Sequence, residues 1–251
     1  MENELAAFLT RFVADRVARA GGKTPYRAPV VGFAAADDPL WGEIRRAVEP
    51  THLLPRELLP GARTVVAFFV PFGEEVVRAN RRGEEVAEAW TTAYRETNAL
   101  INRTVEELID TLRTRGVRAA AQAATHNWDP ETLVSRWSHK SAAYVAGLGT
   151  WGLHRMLITP AGCAGRFGSL ALDAAISPTP RPEGEHCPWF RDGSCGACVR
   201  ACPRGALREA GPGEPNLDRW ACYARLQEVE ARTGADACGK CAVGPCALGV
   251  P

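Results

Sequence analysis

The sequence lacks the features that mark membrane-spanning, secreted and strongly cationic proteins. Its longest clearly apolar run, residues 64–71, is far shorter than the ~20 residues that a membrane helix needs. The N-terminal residues mix acids into the apolar positions and have no basic region, which is not the pattern of a signal peptide. Lys and Arg number 30 against 29 Asp and Glu, so we expect no strong nucleic-acid binding. These absences predict a cytoplasmic protein without a membrane partner.

Cysteine is almost missing from the first three quarters of the chain and concentrated in the rest. Of 9 cysteines, only Cys163 precedes residue 187. Disulfide scaffolds belong to secreted proteins, whereas cytosolic thiols stay reduced, so metal or cluster ligation is the favoured interpretation. The Pro-rich stretch 177–185 separates this segment from the remainder. We therefore predict two domains, residues 1–180 and residues 181–251.

The first domain has the pattern of an α/β layered fold. Short apolar runs bounded by Pro, Gly and Asp predict strands, and stretches with apolar residues at helical spacing predict helices. Alternation of the two argues for helices packed on a sheet. The predicted helices are 2–20, 84–115 and 133–145, and the predicted strands are 30–35, 64–70, 117–124 and 167–176.

The cysteine spacing resembles that of bacterial ferredoxins. Cys195, Cys198 and Cys202 form a C-x2-C-x3-C-P run, in which the cysteine beside proline serves a second cluster. Eight thiolates are the number that two 4Fe–4S clusters need, although zinc sites or disulfides remain alternatives. Cys163 lies outside the segment, and we predict a buried structural thiol there. The remaining cysteines of the segment are Cys187, which is displaced to seven residues before Cys195, the isolated Cys222, and Cys238, Cys241 and Cys246.

Other residues with chemical potential lie in the first domain. The glycines of a G-x-G-x-x-G sequence follow a predicted helix instead of a strand, which argues against a dinucleotide fingerprint. They imply close approach to another element or to a flat cofactor. Three histidines surround this sequence, and a phenol and a carboxylate lie near the start of a helix. These residues are Gly147, Gly149 and Gly152, then His126, His139 and His154, then Tyr94 and Glu96.

Several segments in order resemble the epoxyqueuosine reductase family, which is related to the reductive dehalogenases. They are LLPGARTVVAFFVPF, SHKSAAYVAGLGTWGLHRMLITPAGCAGRFGSLALD, CGACVRACPRGAL, WACYARL and CGKC. The resemblance implies an α/β domain similar to flavin nitroreductases and cobalamin-processing proteins, followed by a ferredoxin-like module with two 4Fe–4S clusters. It assigns one cluster to Cys187, Cys195, Cys198 and Cys246, and the other to Cys202, Cys222, Cys238 and Cys241.

The resemblance also implies an activity. A low-potential donor of the ferredoxin or flavodoxin type would reduce the clusters, and cobalamin bound base-off would then reduce an electrophilic small molecule or modified nucleoside. Glu96 and Tyr94 are the candidate proton donors. The candidate cofactor contacts are Gly147, Gly149, Gly152, His139 and His154.

Three departures leave the substrate open. The family's C-terminal repeat extension, which helps to hold tRNA, does not follow Cys246, and its R-D-Y-H and W-I-G-K segments are changed here. Two other functions therefore remain: an electron-transfer or reductive-activation protein for a separate corrinoid enzyme, and a flavin-binding reductase on the same scaffold.

Overall fold

Helices and strands alternate through the first two thirds of the chain. The structure, a computed structural model, describes residues 2–48 and 50–251. None of the described helices is long and apolar enough to cross a bilayer. The helices are α1 (Glu2–Ala18), α2 (Leu40–Val48), α3 (Pro55–Leu58), α4 (Glu74–Arg81), α5 (Glu88–Thr114), α6 (His139–Val145), α7 (Pro188–Asp192), α8 (Ala197–Arg200) and α9 (Arg219–Thr233). The strands are β1 (Val30–Ala35), β2 (Thr64–Pro71), β3 (Ala119–Ala120), β4 (Trp128–Asp129), β5 (Val134–Ser135), β6 (Thr150–Trp151), β7 (Leu157–Ile158) and β8 (Gly165–Leu172).

A four-stranded sheet lies at the centre of the α/β domain. Its strand order is β1-β2-β8-β3, and each neighbouring pair is antiparallel. Strands β2 and β8 pair along their whole length, from Thr64 opposite Leu172 to Pro71 opposite Gly165. Every residue of β2 is buried, which explains why its sequence is a continuous apolar run instead of an alternating one.

Helices cover both faces of this sheet. Successive side chains of a strand point to opposite faces, so β2 contributes to two separate cores. Val66 and Phe68 pack with residues of α1 and α5. Val65 and Phe69 pack with residues of α2 and α6. The mixed α/β class predicted from the sequence is confirmed, with one layer of helices on each side of the sheet.

Two predicted elements are shorter than the sequence indicated. The helix expected over 84–115 begins at Glu88, and a separate helix, α4, precedes it. Between them Gly83 has a φ of +57°, which a continuing helix does not allow. The strand expected over 117–124 pairs with β8 only at Ala119 and Ala120.

The helix predicted over 133–145 was wrong in its first half. Leu133 has a φ of +56°, in the left-handed region, and the next two residues pair with β4 in a hairpin. Helix α6 begins only at His139. Its N-cap is Ser138, whose side chain accepts a hydrogen bond from the backbone N–H of Ser141.

The cysteine segment packs against the α/β domain. The Pro-rich stretch before it contains no helix or strand among residues 177–185. A third buried cluster joins Phe72, Trp90 and Leu153 of the first predicted domain to Leu207 and Ala237 of the second. The two stretches of sequence therefore share a core.

Candidate functional site

One small cavity in the cysteine segment is lined by five cysteines. Cys241 is one of them, and the other four are Cys187, Cys195, Cys198 and Cys246. Cys187 reaches it because α7 follows directly and ends at Gly193, whose φ of +74° turns the chain back. The displaced cysteine and the C-x2-C pair thus lie on the same cavity. We call Cys187, Cys195, Cys198 and Cys246 the first cysteine set.

The other four cysteines form a second group. Burial raises the pKa of Cys222, and the nearby thiolates of Cys238 and Cys202 raise it further. Burial likewise raises the pKa of Cys241, followed by the charges of Cys222 and Cys238. Cys241 also lines the cavity of the first set. This second cysteine set is therefore adjacent to the first.

The electrostatics of both sets favour a bound cation. Burial, and then the thiolates of Cys246, Cys187 and Cys195, raise the pKa of Cys198 to about 12. Such thiols are protonated at neutral pH unless a positive centre stabilises the thiolates, as metal ions and clusters do. The donor set, sulfur throughout and four to a group, fits iron–sulfur clusters.

Two further side chains lie against Cys246. The Sγ of Cys163 is 3.8 Å from the Sγ of Cys246, and Nε2 of His154 is 3.2 Å from it. These three ligand atoms lie within 4.8 Å of one another. Cys163 is fully buried, as predicted for a structural thiol. Its sulfur contacts a predicted ligand, a proximity that the sequence did not indicate.

The glycine sequence packs against the chain itself. A Cβ on Gly149 would lie 2.0 Å from the carbonyl oxygen of Ile158, and one on Gly147 would lie 2.7 Å from that of Pro180. A Cβ on Gly152 would lie 2.5 Å from Cε1 of His154. The space into which each Cβ would project is filled by protein atoms, and Gly149 and Gly152 are buried while Gly147 is partly exposed.

His139 is likewise occupied by the protein. Its Nε2 is 2.9 Å from the carbonyl oxygen of Ala123, and its Nδ1 is 2.7 Å from Oγ of Ser169. That hydroxyl accepts a hydrogen bond from Nε1 of Trp137, so it donates its own proton to Nδ1. Burial lowers the pKa of His139 to about 4, and the imidazole is neutral at pH 7.

The two candidate proton donors of α5 have different surroundings. The carboxylate of Glu96 accepts hydrogen bonds from the backbone N–H groups of Lys23 and Thr24 and from the Thr24 hydroxyl. Partial burial raises its pKa, but these hydrogen bonds outweigh the effect and lower it overall. Tyr94 is buried, which raises the pKa of its phenol and keeps it protonated. Tyr94 is thus better suited to donate a proton.

Two charged side chains, Arg166 and Asp236, lie near Tyr94, and a third, Lys140, lies near Arg166. The guanidinium of Arg166 lies 4.6 Å from the centre of its ring. Burial, and then the charge of Arg166, lower the pKa of Lys140, while the thiolates of Cys241 and Cys222 raise it. Asp236 faces Tyr94 and lies 3.4 Å from Nε2 of the exposed His126. We call Tyr94, Arg166, Lys140 and Asp236 the tyrosine site. Sequence reasoning missed the last three because no local motif contains them.

No family model matches this sequence, and no curated protein matches it. Solved structures do match. The epoxyqueuosine reductase from Bacillus subtilis aligns with a TM-score of 0.63 and 21% identity, over 100% of this chain and 67% of that chain. An epoxyqueuosine reductase with a tRNA-Tyr epoxyqueuosine-modified stem loop gives a TM-score of 0.64 and 22% identity, over 98% and 66%.

The chain has the fold of the epoxyqueuosine reductases. A catabolic reductive dehalogenase aligns less well, with a TM-score of 0.57 and 17% identity, over 96% of this chain and 36% of that chain. This chain spans about two thirds of the length of the epoxyqueuosine reductases it matches. At these identities the likeness establishes the fold, and it confirms the resemblance read from the sequence at that level.

Replacing Gly149 by alanine tests what this glycine contacts. The new Cβ would collide with the Ile158 carbonyl, so we expect a loss of about 2 kcal/mol in unfolding free energy. Thermal denaturation would measure it. The control is Gly42→Ala in α2, where the nearest atom is 3.5 Å away and stability should hold or rise. A Gly149→Ala protein of unchanged stability that lost only a bound cofactor would contradict this assignment.

The buried His139 predicts a pH dependence of stability. Its imidazole takes up a proton near pH 6.5 in the unfolded chain but only near pH 4 in the folded one. Between these values the unfolded state binds more protons, so stability falls as the pH falls, by about 3 kcal/mol in all. Denaturant unfolding of His139→Gln across this range should show a shallower pH dependence than the wild type. Parallel curves for the two proteins would contradict it.

Proposed function

We propose that this protein is an iron–sulfur reductase that holds two 4Fe–4S clusters and delivers their electrons to the tyrosine site. The observation that carries the proposal is the clustering of eight cysteines, five of which line one cavity while Cys202, Cys222 and Cys238 lie near Cys241. The first set would hold one cluster and the second set the other, as the resemblance implied. Each cluster, when bound, supplies one electron at a time.

The arrangement of the chain supports a direction of electron flow. Cys241 belongs to the second set and lines the cavity of the first, so the two sets are neighbours. On its other side the second set faces Lys140, which is close to Arg166. Arg166 in turn lies over Tyr94. The second set is therefore the one next to the tyrosine site.

Tyr94 is the proposed proton donor. Its phenol lies 3.2 Å from Oγ1 of Thr125, and Asp236 is close enough to bond to it as well. The charge of Arg166 stabilises the phenolate that forms when the proton leaves, since it counteracts the effect of burial on the pKa of Tyr94. Lys140 and Arg166 together provide positive charge that would orient an anionic or electron-rich substrate.

A modified nucleoside is the proposed substrate class. A neighbouring structure contains an epoxyqueuosine-modified tRNA stem loop. Reduction of an epoxide to an alkene consumes two electrons and two protons and releases water, which matches two one-electron clusters and a proton donor. The isolated nucleoside is the form to test, because this chain spans only part of those relatives.

The cofactor at the tyrosine site is the open part of the proposal. The resemblance implies base-off cobalamin. Of its predicted contacts, Gly149, Gly152, His139 and His154 are buried against protein atoms, and Gly147 is partly exposed. We assign no step to cobalamin. The same observation favours a second function, an electron-transfer protein that reactivates a separate corrinoid enzyme. Absorbance after anaerobic purification with cobalamin separates these two functions and the flavin-binding alternative.

Electrons would enter from a low-potential ferredoxin or flavodoxin in the cytoplasm. A groove that shares Ala197, Gly244 and Pro245 with the cavity of the first set is lined by the basic residues Arg81 and Arg200 and one acid, Glu84. Its excess of positive charge suits the acidic surface of such a carrier.

Metal analysis tests the cluster assignment. Anaerobically purified protein should contain about eight irons and eight sulfides. Cys246→Ser should lower the iron to about four per chain. Cys163→Ser is the matched control and should keep both clusters, because Cys163 does not line the cavity. Stoichiometric zinc without visible absorbance in the wild type would overturn the assignment.

Replacing Tyr94 by phenylalanine tests the proton donor. We expect the rate of epoxyqueuosine nucleoside reduction to fall about 100-fold with the cluster content unchanged. Tyr144→Phe in α6 is the control and should keep the rate. Glu96→Gln should keep the rate too while lowering the melting temperature, since Glu96 holds residues 22–24. A Glu96→Gln protein that is stable but inactive would instead identify Glu96 as the proton donor and contradict that role for Tyr94.

A further inference from the structure

Two buried groups approach the sulfur of Cys246. Nε2 of His154 is 3.2 Å from that sulfur, and Sγ of Cys163 is 3.8 Å from it. His154 is 5% exposed and Cys163 is 0% exposed, so water does not compete for these contacts. Neither residue lies in the cysteine segment. Both come from the α/β domain, in the stretch between β6 and β8.

The hydrogen-bond partners of His154 decide which nitrogen carries the proton. The backbone N–H of Met156 donates to Nδ1 over 3.1 Å. Nδ1 is therefore the acceptor, and in the neutral ring Nε2 carries the hydrogen and donates it to Cys246. Gly152 leaves the space that the ring needs, since a Cβ there would lie 2.8 Å from Nδ1.

Cys163 is held beside Cys246 by the backbone. Its N–H donates to the carbonyl oxygen of Cys246 over 3.0 Å. Its sulfur is 3.7 Å from the carbonyl oxygen of Ala242. A thiol has one hydrogen, and this geometry offers that of Cys163 to the Cys246 sulfur and to the Ala242 carbonyl oxygen.

Within the described part of the chain, no comparable side-chain donor contacts the second cysteine set. Cys202 accepts a hydrogen bond from the backbone N–H of Ala206 over 3.2 Å. Among residues 2–48 and 50–251, His154 is the only side chain that donates an N–H hydrogen bond to any of the eight sulfurs. The two sets thus differ in their hydrogen bonding.

We infer that His154, supported by Cys163, is a positioning residue that raises the reduction potential of the cluster held by the first cysteine set. The inference rests on the proposed two-cluster function. Hydrogen bonds to ligand sulfurs withdraw negative charge and stabilise the reduced cluster, which is one of the protein's means of setting its potential. The α/β domain would thereby set the potential of the first cluster separately from that of the second.

EPR-monitored redox titration of the anaerobically purified full chain tests this. In His154→Phe we expect the midpoint potential of one cluster to fall by up to 59 mV, a tenfold change in its one-electron equilibrium, while the other is unchanged. The same titration in a Cys222→Ser background identifies the shifted cluster as that of the first set. Cys163→Ala should give a smaller fall, and His154→Gln, which retains an N–H donor, should recover part of the wild-type potential.

The control is His52→Phe, which removes an equally buried imidazole next to Trp137 in another core. It should shift neither potential. Unchanged potentials in both His154→Phe and His154→Gln, with iron content at the wild-type value, would overturn the inference and leave the proposed function intact. Wild-type protein without two cluster signals would instead overturn the proposed function. If His154→Phe loses iron, His154→Gln and Cys163→Ala decide, and wild-type potentials in both overturn the inference.

Discussion

Lys240 fixes to the α/β domain the loop that carries Cys238 and Cys241 of the second cysteine set and leads to Cys246 of the first. Its buried ammonium donates to the carbonyl oxygens of Asn80, Arg82 and Gly83, which the end of α4 leaves without helical partners. A buried ammonium is tolerated only when its donors are satisfied, and here three carbonyls satisfy it. Beside it Gly239 approaches the ring of Trp90 so closely that a Cβ would lie 2.1 Å from the indole. This contact positions Cys238 and Cys241, and with them the boundary between the two cysteine sets.

Helix α5 contacts the cysteine segment, the tyrosine site and the N-terminal loop. Its first turn supplies Trp90 to the cysteine segment, the next presents Tyr94 beside Arg166, and Glu96 on another face holds the N-terminal loop. Because one helix makes all three contacts, it fixes the position of the cysteine segment relative to the tyrosine site. This explains how two stretches of sequence divided by a Pro-rich connector form one core.

The features that the sequence predicts are those that come from short-range patterns of residues. Strand β2 was found because a buried strand is a continuous apolar run. The short cysteine spacings indicated cluster ligands, whereas their division into two sets came from the family resemblance. The start of α6 was missed, since the left-handed Leu133 leaves no compositional mark. Gly149 packs against the Ile158 carbonyl of a neighbouring strand, and spacing alone does not distinguish such packing from contact with a cofactor. Arg166 is far from Tyr94 in the sequence, and only the folded structure brings the two side chains together.

The run Cys238, Cys241 and Cys246 departs from the ferredoxin spacing, and the structure gives a reason for the departure. Four residues separate Cys241 from Cys246 where three are usual, and no proline follows. In the fold Cys246 lies in a 3₁₀ turn, and the carbonyls of Cys246 and Ala247 accept hydrogen bonds from the N–H groups of Cys163 and Ala164. A Cβ on Gly162 would lie 2.2 Å from the Ala247 carbonyl, so this close pairing also requires the glycine. The longer spacing therefore coincides with a cysteine that is bonded to the α/β domain through its backbone and its sulfur at once, which makes Cys246 the residue through which that domain contacts the first cysteine set.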